Sequence, residues 1–201
     1  MVTVNTLAAY LIPQAVTELR RRQPELSLSI LTGSSPDVVE RVERGFADLG
    51  LVYDAAVDTD AFSVHPLHKE ILAGYCKAGA ATVSNLDCEQ LQAARLILPP
   101  KTYALRRAFE RELGAAPQVS VECNSISLAL DMAACGLGVA ILPHHLHATM
   151  IDVRGLKRVQ ILGGTLSRQV VAICRKTGQL PPASQQALEA VLHCSRSIAS
   201  L

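Results

Sequence analysis

Short apolar runs alternate with amphipathic stretches along the chain. Val2–Val4 and residues 26–31 show the apolar or alternating pattern of strands, and each precedes a segment with helical periodicity. The first helical segment covers residues 7–22. The second opens at the turn formed by residues 33–36, keeps its valines on one face, and ends at Gly45. This alternation predicts an α/β unit.

The same alternation recurs through the rest of the chain. The predicted strands are 48–53, 62–66, 71–77, 95–98, 118–121, 139–142 and 168–175. The predicted helices are 103–113, 126–135 and a last one that starts after Pro181-Pro182 and ends near residue 198. Asn124 is predicted to cap the helix 126–135, which Gly136 follows. Two series of alternating strands and helices predict two α/β units with mostly parallel sheets.

The composition excludes several kinds of partner. A chain of 201 residues that is 49% hydrophobic and 18% charged can form one domain or two small ones. Its 19 basic and 18 acidic residues leave a net charge of +1, without the basic excess that phosphate backbones attract. Aromatic residues are 3% of the chain, too few for stacking on single strands. Nucleic acid is therefore not expected as a direct partner of this chain.

The sequence gives no sign of a membrane or an export signal. Its longest apolar stretch, residues 132–142, is interrupted by two glycines and is shorter than a membrane span. No basic segment precedes the apolar N-terminus, so we expect no secretory signal and a cytoplasmic protein. The six cysteines form no CxxC pair and lie in apolar segments, which favours free, buried thiols over a disulfide framework.

Four loops, each between a strand and a helix, carry the candidate binding residues. Ligands of open α/β sheets lie outside the carboxyl ends of the strands, where helix N-termini offer free N–H groups to carboxylate or phosphate. The loops contribute small hydroxyl and amide side chains and one full positive charge, from Asn5, Thr6, Ser34, Ser35, Lys101, Thr102 and Asn124. Together they predict a site for a small organic anion. The alternative is that these residues are ordinary helix caps.

Catalytic and metal signatures are not found in the sequence. It has no GxSxG, P-loop, HExxH or GxGxxG motif, and Gly136-Leu137-Gly138 follows a helix rather than opening one. The histidines at 144, 145 and 147 lack a cysteine or carboxylate at metal-ligand spacing, so we expect a solvated turn there. Arginines 20–22 fit the last turn of the first helix. We therefore predict no enzyme activity, metal or cofactor.

Three segments, taken in order, resemble the effector-binding domain of LysR-type transcriptional regulators. Residues 6–53 contain a helix–strand–"GSS" order and end in GFADL, and residues 96–117 follow as LILPPKTYALRRAFERELGAAP. The most specific segment is VECNSISLALDMAACGLGVAILP, residues 121–143, similar to the family's "E..S......V..G.G(I/V)..LP" pattern. One departure is Gly50, which interrupts a strand that is usually apolar throughout.

The resemblance implies an α/β fold of two Rossmann-like subdomains joined by two crossing strands, as in periplasmic binding proteins. Regulatory subdomain I comprises residues 1–69 and 169–201, and subdomain II comprises 70–168. A small-molecule effector occupies the cleft between them, and the resemblance places the same four loops around it. DNA is contacted only through an N-terminal winged helix-turn-helix that this chain lacks.

The resemblance also implies a homodimer or a tetramer. In the family, the first helix, here residues 7–22, pairs antiparallel with the partner's helix over residues 124–135. The apolar residues on more than one side of the first helix agree with such a contact.

Two other classes of protein remain open. A solute-binding protein of a transporter has the same fold but requires an export signal. A small-molecule enzyme on this fold requires a pair of titratable groups in the cleft, where the sequence offers only Lys101.

Overall fold

A computed structural model of the chain describes residues 1–79, 85–162, 167–177 and 179–199. Its strands are β1 (Val2–Val4), β2 (Leu31–Gly33), β3 (Gly50–Tyr53), β4 (Phe62–Lys77), β5 (Asn85–Leu86), β6 (Arg95–Leu98), β7 (Gln118–Glu122), β8 (Val139–Pro143), β9 (Leu156–Ile161) and β10 (Ser167–Arg175). Its α-helices are α1 (Asn5–Arg22), α2 (Ser35–Glu43), α3 (Cys88–Ala93), α4 (Ala104–Leu113), α5 (Ile126–Ala134), α6 (Ala148–Asp152) and α7 (Pro182–Ala199).

The chain divides into two compact units. Unit 1 consists of Met1–Lys69 together with Arg168–Leu201, and unit 2 consists of Glu70–Ser167. Strand β4 contributes residues to both units. Within the described residues, no helix combines the length and the apolar character needed to cross a membrane.

The sheet of unit 1 brings the ends of several strands to one edge. Its strand order is β2-β1-β3-β10-β4. Strands β1, β2 and β3 are parallel, whereas β10 is antiparallel to β3 and pairs Val170 with Tyr53. The carboxyl ends of β1, β2 and β3 therefore lie beside the first residues of β10. Helices α1 and α7 bury Leu7, Leu11, Leu19 and Val191 in the core of this unit.

Unit 2 repeats this arrangement with its own strands. Strand β6 is parallel to both β7 and β8, and β4 is antiparallel to β8 and β9. The carboxyl ends of β6, β7 and β8 consequently share one edge. Phe109 of α4 and Leu91 of α3 are buried with Leu96, Leu98 and Ile141 of the sheet, which fixes the helices against it.

Several predicted boundaries are wrong. Helix α1 begins at Asn5 rather than at residue 7, and residues 26–30 form no strand. Leu26, Leu28 and Ile30 do pack against the core of unit 1, so their alternation reflects side-chain burial without pairing of the backbone. The pieces 62–66 and 71–77 belong to the single strand β4.

Half of the cysteines are not buried as predicted. All six are free thiols, but Cys88 and Cys135 are exposed and Cys123 is only half-buried. The other three follow the prediction, and burial raises the pKa of the thiols of Cys76 and Cys174.

Gly50 provides space where α2 packs on β3. A Cβ atom at this position would lie 2.8 Å from Cγ2 of Val42 and 2.9 Å from Cγ1 of Ile173. Both of those side chains are fully buried, so neither has free space into which it can move. The departure from an all-apolar strand therefore allows close helix–sheet packing at the amino end of β3.

Candidate functional site

Unit 1 places two of the predicted loops side by side. Asn5 and Thr6 are the first two residues of α1 and follow β1 directly. Ser34 and Ser35 follow β2, whose last residue pairs with Val4 of β1. All four residues are partly accessible at the carboxyl edge of the sheet.

The N-terminus of α2 already holds a carboxylate. The amide and the hydroxyl of Ser34 both donate to Oδ2 of Asp37, at 2.8 and 2.6 Å, and the Asp37 amide donates back to Ser34 Oγ at 3.4 Å. These hydrogen bonds from Ser34 hold the pKa of the Asp37 carboxyl below its usual value. Ser34 is therefore a helix cap, and an ionised side chain occupies the anion position of α2.

Replacing Ser34 by alanine is expected to lower the free energy of unfolding by about 1 kcal/mol at pH 7, the usual contribution of such a cap. Because the folded-state pKa of Asp37 is depressed, part of this stability exists above the unfolded pKa and is lost as pH falls through the folded one. Urea unfolding at pH 7 and pH 3 measures the difference. An equal loss at both values would contradict the role given to the Asp37 charge.

The N-terminus of α1 differs from that of α2. Its N-cap residue, Val4, has no side-chain cap, and its first turn contains no acidic residue. Oγ1 of Thr6 shares a 2.5 Å hydrogen bond with the hydroxyl of Tyr53, the last residue of β3. The Thr6 side chain thus turns toward the end of the neighbouring strand instead of capping its own helix.

Tyr53 and Arg168 also lie at this edge, although neither was predicted from the sequence as a site residue. The guanidinium carbon of Arg168 lies 3.6 Å from the centroid of the Tyr53 ring, and its Nη2 donates to the phenolic oxygen at 2.7 Å. Tyr53 is buried. The two residues meet because β10 is antiparallel to β3, a pairing that no local motif indicates. This edge therefore carries a full positive charge in addition to the predicted site residues.

Two arginines of α4 hold the loop of unit 2 that contains Lys101 and Thr102. Nη1 of Arg107 donates to the carbonyl oxygens of both residues, at 3.3 and 2.6 Å. The Arg106 side chain is 3% exposed, and its Nη1 donates to the carbonyl oxygen of Pro99 at 3.3 Å. The side chains of Lys101 and Thr102 remain exposed on this fixed backbone.

Asn124 does not cap α5, contrary to the prediction. The N-cap residue is Ser125, whose side chain accepts a hydrogen bond from the amide of Leu128. Asn124 instead donates from Nδ2 to the Tyr103 hydroxyl at 3.4 Å. The structure thus brings Asn124 to the loop that carries Lys101. Among the predicted binding residues, all of which are described, only Ser34 caps a helix with its side chain.

The two histidines that follow β8 are half-buried rather than fully solvated. His144 and His145 form a turn in which their rings meet edge to face, 5.5 Å apart. Burial is the main cause that lowers both pKa values. The positive charge of Arg158 acts in the same direction on both, and the carboxylate of Glu70 opposes it at His145. Both imidazoles are therefore mainly neutral at pH 7. Within the described ranges, no group of three or more His, Cys, Asp or Glu residues is arranged to hold a metal ion.

Comparison with protein families gives a match over almost the entire chain. The model described as the LysR substrate binding domain matches residues 1–194. The chain belongs to this family. The prediction made from the three ordered segments is thereby confirmed, as are the mixed α/β class and the fold resembling periplasmic binding proteins.

Relatives of known name and solved structure align with most of this chain. The HTH-type transcriptional regulator EstR of Acinetobacter baylyi is 25% identical over 185 residues, which are 88% of this chain and 60% of EstR. The effector binding domain of QuiR, solved in complex with shikimate, has a TM-score of 0.81 at 16% identity and covers 98% of this chain and 95% of that one. The reduced form of OxyR from N. meningitidis has a TM-score of 0.78 at 21% identity, with 96% and 93% covered.

These comparisons limit what can be transferred to the chain. It spans about three-fifths of the length of the curated relatives that it matches. The structural matches have low sequence identity and establish the fold alone. The individual binding residues and the boundaries of the regulatory subdomains therefore stay predictions.

Proposed function

We propose that this chain is the effector-sensing part of a LysR-type transcriptional regulator, and that its effector is a small organic anion. The observation that carries the proposal is the family match over residues 1–194. The proposed regulatory subdomain I comprises residues 1–69 and 169–201, and subdomain II comprises residues 70–168. Units 1 and 2 divide the chain at nearly the same positions, except that Arg168 lies in unit 1. The proposed effector-binding residues are Asn5, Thr6, Ser34, Ser35, Lys101, Thr102 and Asn124.

The donors at the two site edges support an anionic effector. None of the proposed binding residues is acidic, and Lys101 adds a full charge on a loop that α4 holds in place. In unit 1 the first turn of α1 lacks an acidic side chain, so its amides suit a carboxylate better than those of α2, where Asp37 already lies. The proposed contribution of Ser34 to the site is to fix the conformation of its loop through its hydrogen bonds to Asp37.

The relatives favour regulation over the other two classes of protein. EstR and CbbR are both named as HTH-type transcriptional regulators, and neither is a transporter component or an enzyme by name. The QuiR domain was solved with shikimate, which is a carboxylate at neutral pH. This agrees with the carboxylate class proposed here.

A matched ligand screen tests the proposal. Small carboxylates, shikimate among them, are compared with their neutral amides or methyl esters by thermal shift and calorimetry. A carboxylate present at 100 times its Kd should stabilise the chain by about 2.7 kcal/mol, while its neutral counterpart has little effect. A neutral compound that binds as tightly as its carboxylate would contradict the anion class. The absence of any ligand in a broad screen would contradict the sensing function.

The partners of the whole regulator follow from the same proposal. DNA is bound by a winged helix-turn-helix outside residues 1–201, and the effector changes transcription through that segment. A regulator of transcription shares a compartment with the chromosome, so we place it in the cytoplasm. Residues 1–201 alone should bind DNA only non-specifically, since their net charge is +1.

The proposed oligomer is a homodimer or a tetramer. The apolar residues of α1 that first suggested a dimer, such as Tyr10 and Leu11, are buried within unit 1 and give less support than expected. Leu128 on α5 and Leu31 on β2 are 44% and 45% exposed and remain available for a partner. A stable dimer should bury at least about 1,200 Å² in total. Sedimentation at tens of micromolar should show it, and a pure monomer there would contradict it.

A further inference from the structure

Unit 1 contains a chain of hydrogen bonds that begins at a cation. Arg168 stacks on the ring of Tyr53 and donates to its hydroxyl, although the two residues are 115 positions apart in the sequence. The same hydroxyl lies 2.5 Å from Oγ1 of Thr6. Three side chains from β10, β3 and α1 are thus linked in one direction, from a positive charge toward the start of a helix.

The proton between Tyr53 and Thr6 has a preferred position. The phenolic oxygen of Tyr53 carries one proton and accepts a charge-assisted hydrogen bond from Arg168. A donor on that oxygen withdraws electron density from it, which makes the phenol a stronger donor and a weaker acceptor. Either hydroxyl can donate in this hydrogen bond, and the charge of Arg168 favours Tyr53 as the donor to Oγ1 of Thr6. The hydroxyl proton of Thr6 is then left to point away from the phenol.

The surroundings of Thr6 suit a negatively charged acceptor. Thr6 is partly accessible and lies in the first turn of α1, where the helix exposes amide N–H groups and contains no acidic residue. Within the described part of the chain, its side chain makes no hydrogen bond other than the one with Tyr53. The corresponding position at α2 is filled by Asp37.

We infer that Arg168, Tyr53 and Thr6 form a relay that makes unit 1 selective for an anionic group over a neutral one. Thr6 is the contact residue, and its hydroxyl donates to the anion. Tyr53 and Arg168 are positioning residues, since they act by polarising and orienting that hydroxyl. The inference rests on the proposed function and assigns the charge selection in this unit to two residues beyond the predicted site.

A double-mutant cycle with inorganic sulfate as the probe tests the relay. Sulfate is titrated at constant ionic strength, and the amide NMR signals of residues 5–7 report the Kd. Tyr53→Phe removes the linking oxygen but keeps the ring on which Arg168 stacks. It is combined with Thr6→Ala, and Thr6→Ser tests rescue by another hydroxyl. The control is Tyr10→Phe, which removes a buried phenol of the same unit that is hydrogen-bonded to His68 at 2.8 Å.

The relay predicts losses that do not multiply. Tyr53→Phe and Thr6→Ala should each weaken sulfate binding by about ten-fold, and the double variant by little more than either single one. Arg168→Gln should weaken binding at least as much as Tyr53→Phe. Thr6→Ser and the Tyr10→Phe control should stay within about two-fold of the unmodified chain, whatever they do to stability.

Three results would overturn the relay. The first is sulfate affinity that Tyr53→Phe leaves unchanged, and the second is a loss of about a hundred-fold in the double variant, the product expected of independent residues. The third is an unmodified chain in which sulfate moves none of the three amide signals. Because sulfate replaces the effector here, these outcomes are separate from the carboxylate screen. An organic carboxylate that binds with equal affinity to the relay variants leaves the proposed function standing and removes only the relay.

Discussion

Replacing Gly138 by alanine is expected to lower the free energy of unfolding by about 3 kcal/mol or more, the combined cost of a steric clash and a strained backbone. An added Cβ would lie 2.4 Å from the carbonyl oxygen of Arg95 and 2.9 Å from Oγ of Ser120. The backbone there has φ +157°, which side chains rarely adopt. Urea unfolding of the variant and the unmodified chain measures the loss.

Gly136 gives a matched control in the same loop. It also has a positive φ, +79°, but a Cβ there meets no heavy atom within 4 Å. Gly136→Ala should therefore cost only the backbone term, about 1–2 kcal/mol. If Gly138→Ala proves no more costly than Gly136→Ala, the close approach to the Arg95 carbonyl is not what requires glycine.

The second large effect is expected at Arg106. Its nearly inaccessible side chain donates to Glu110 at 2.7 Å and to the Pro99 carbonyl, and lies 3.8 Å from Glu122. Arg106→Ala removes these contacts and leaves two carboxylates without their cation. Because both are partly solvated, we expect about 2–3 kcal/mol rather than the 3–5 kcal/mol of a fully buried pair.

The Arg106 variant should also affect the site. The loop that carries Lys101 loses one of its two arginine anchors, so carboxylate binding should weaken together with stability. Arg111→Ala is the control, since Arg111 is an exposed cation near the end of the same helix and should stay within about 0.5 kcal/mol of the unmodified chain. Equal stability losses for the two variants would contradict the anchoring role of Arg106.

The features that the sequence predicted well are those encoded locally. Apolar periodicity predicted most of the strands and helices, although β5, α3, α6 and β9 were missed, and Gly136 was correctly predicted to follow the helix α5. The cap at α2 could also be recognised, because Ser34 is followed three residues later by Asp37; Ser34 was predicted as a ligand donor, with helix capping as the alternative. Residues 26–31 show the converse, since alternating burial does not require strand pairing.

The features that could not be predicted from the sequence depend on contacts between segments that are distant along the chain. Tyr53 and Arg168 meet only because β10 lies antiparallel to β3, and their spacing in the sequence contains no motif. Asn124 was assigned to a cap because amides often serve as caps. Ser125 caps α5, so the Asn124 side chain is available to donate to Tyr103. That contact forms because β6 and β7 are adjacent and the loops that follow them lie together.

By the proposed function, this chain senses a small organic anion through donors at the carboxyl edges of its two units. Calorimetric titration of the best carboxylate from the screen into Lys101→Ala, Thr6→Ala and the Arg111→Ala control tests it most directly. Charge-assisted hydrogen bonds predict that each of the first two variants binds about ten- to a hundred-fold more weakly. The control, with the same charge as Lys101→Ala, should keep its affinity. Unchanged affinity in both Lys101→Ala and Thr6→Ala, with the fold intact, would contradict the account.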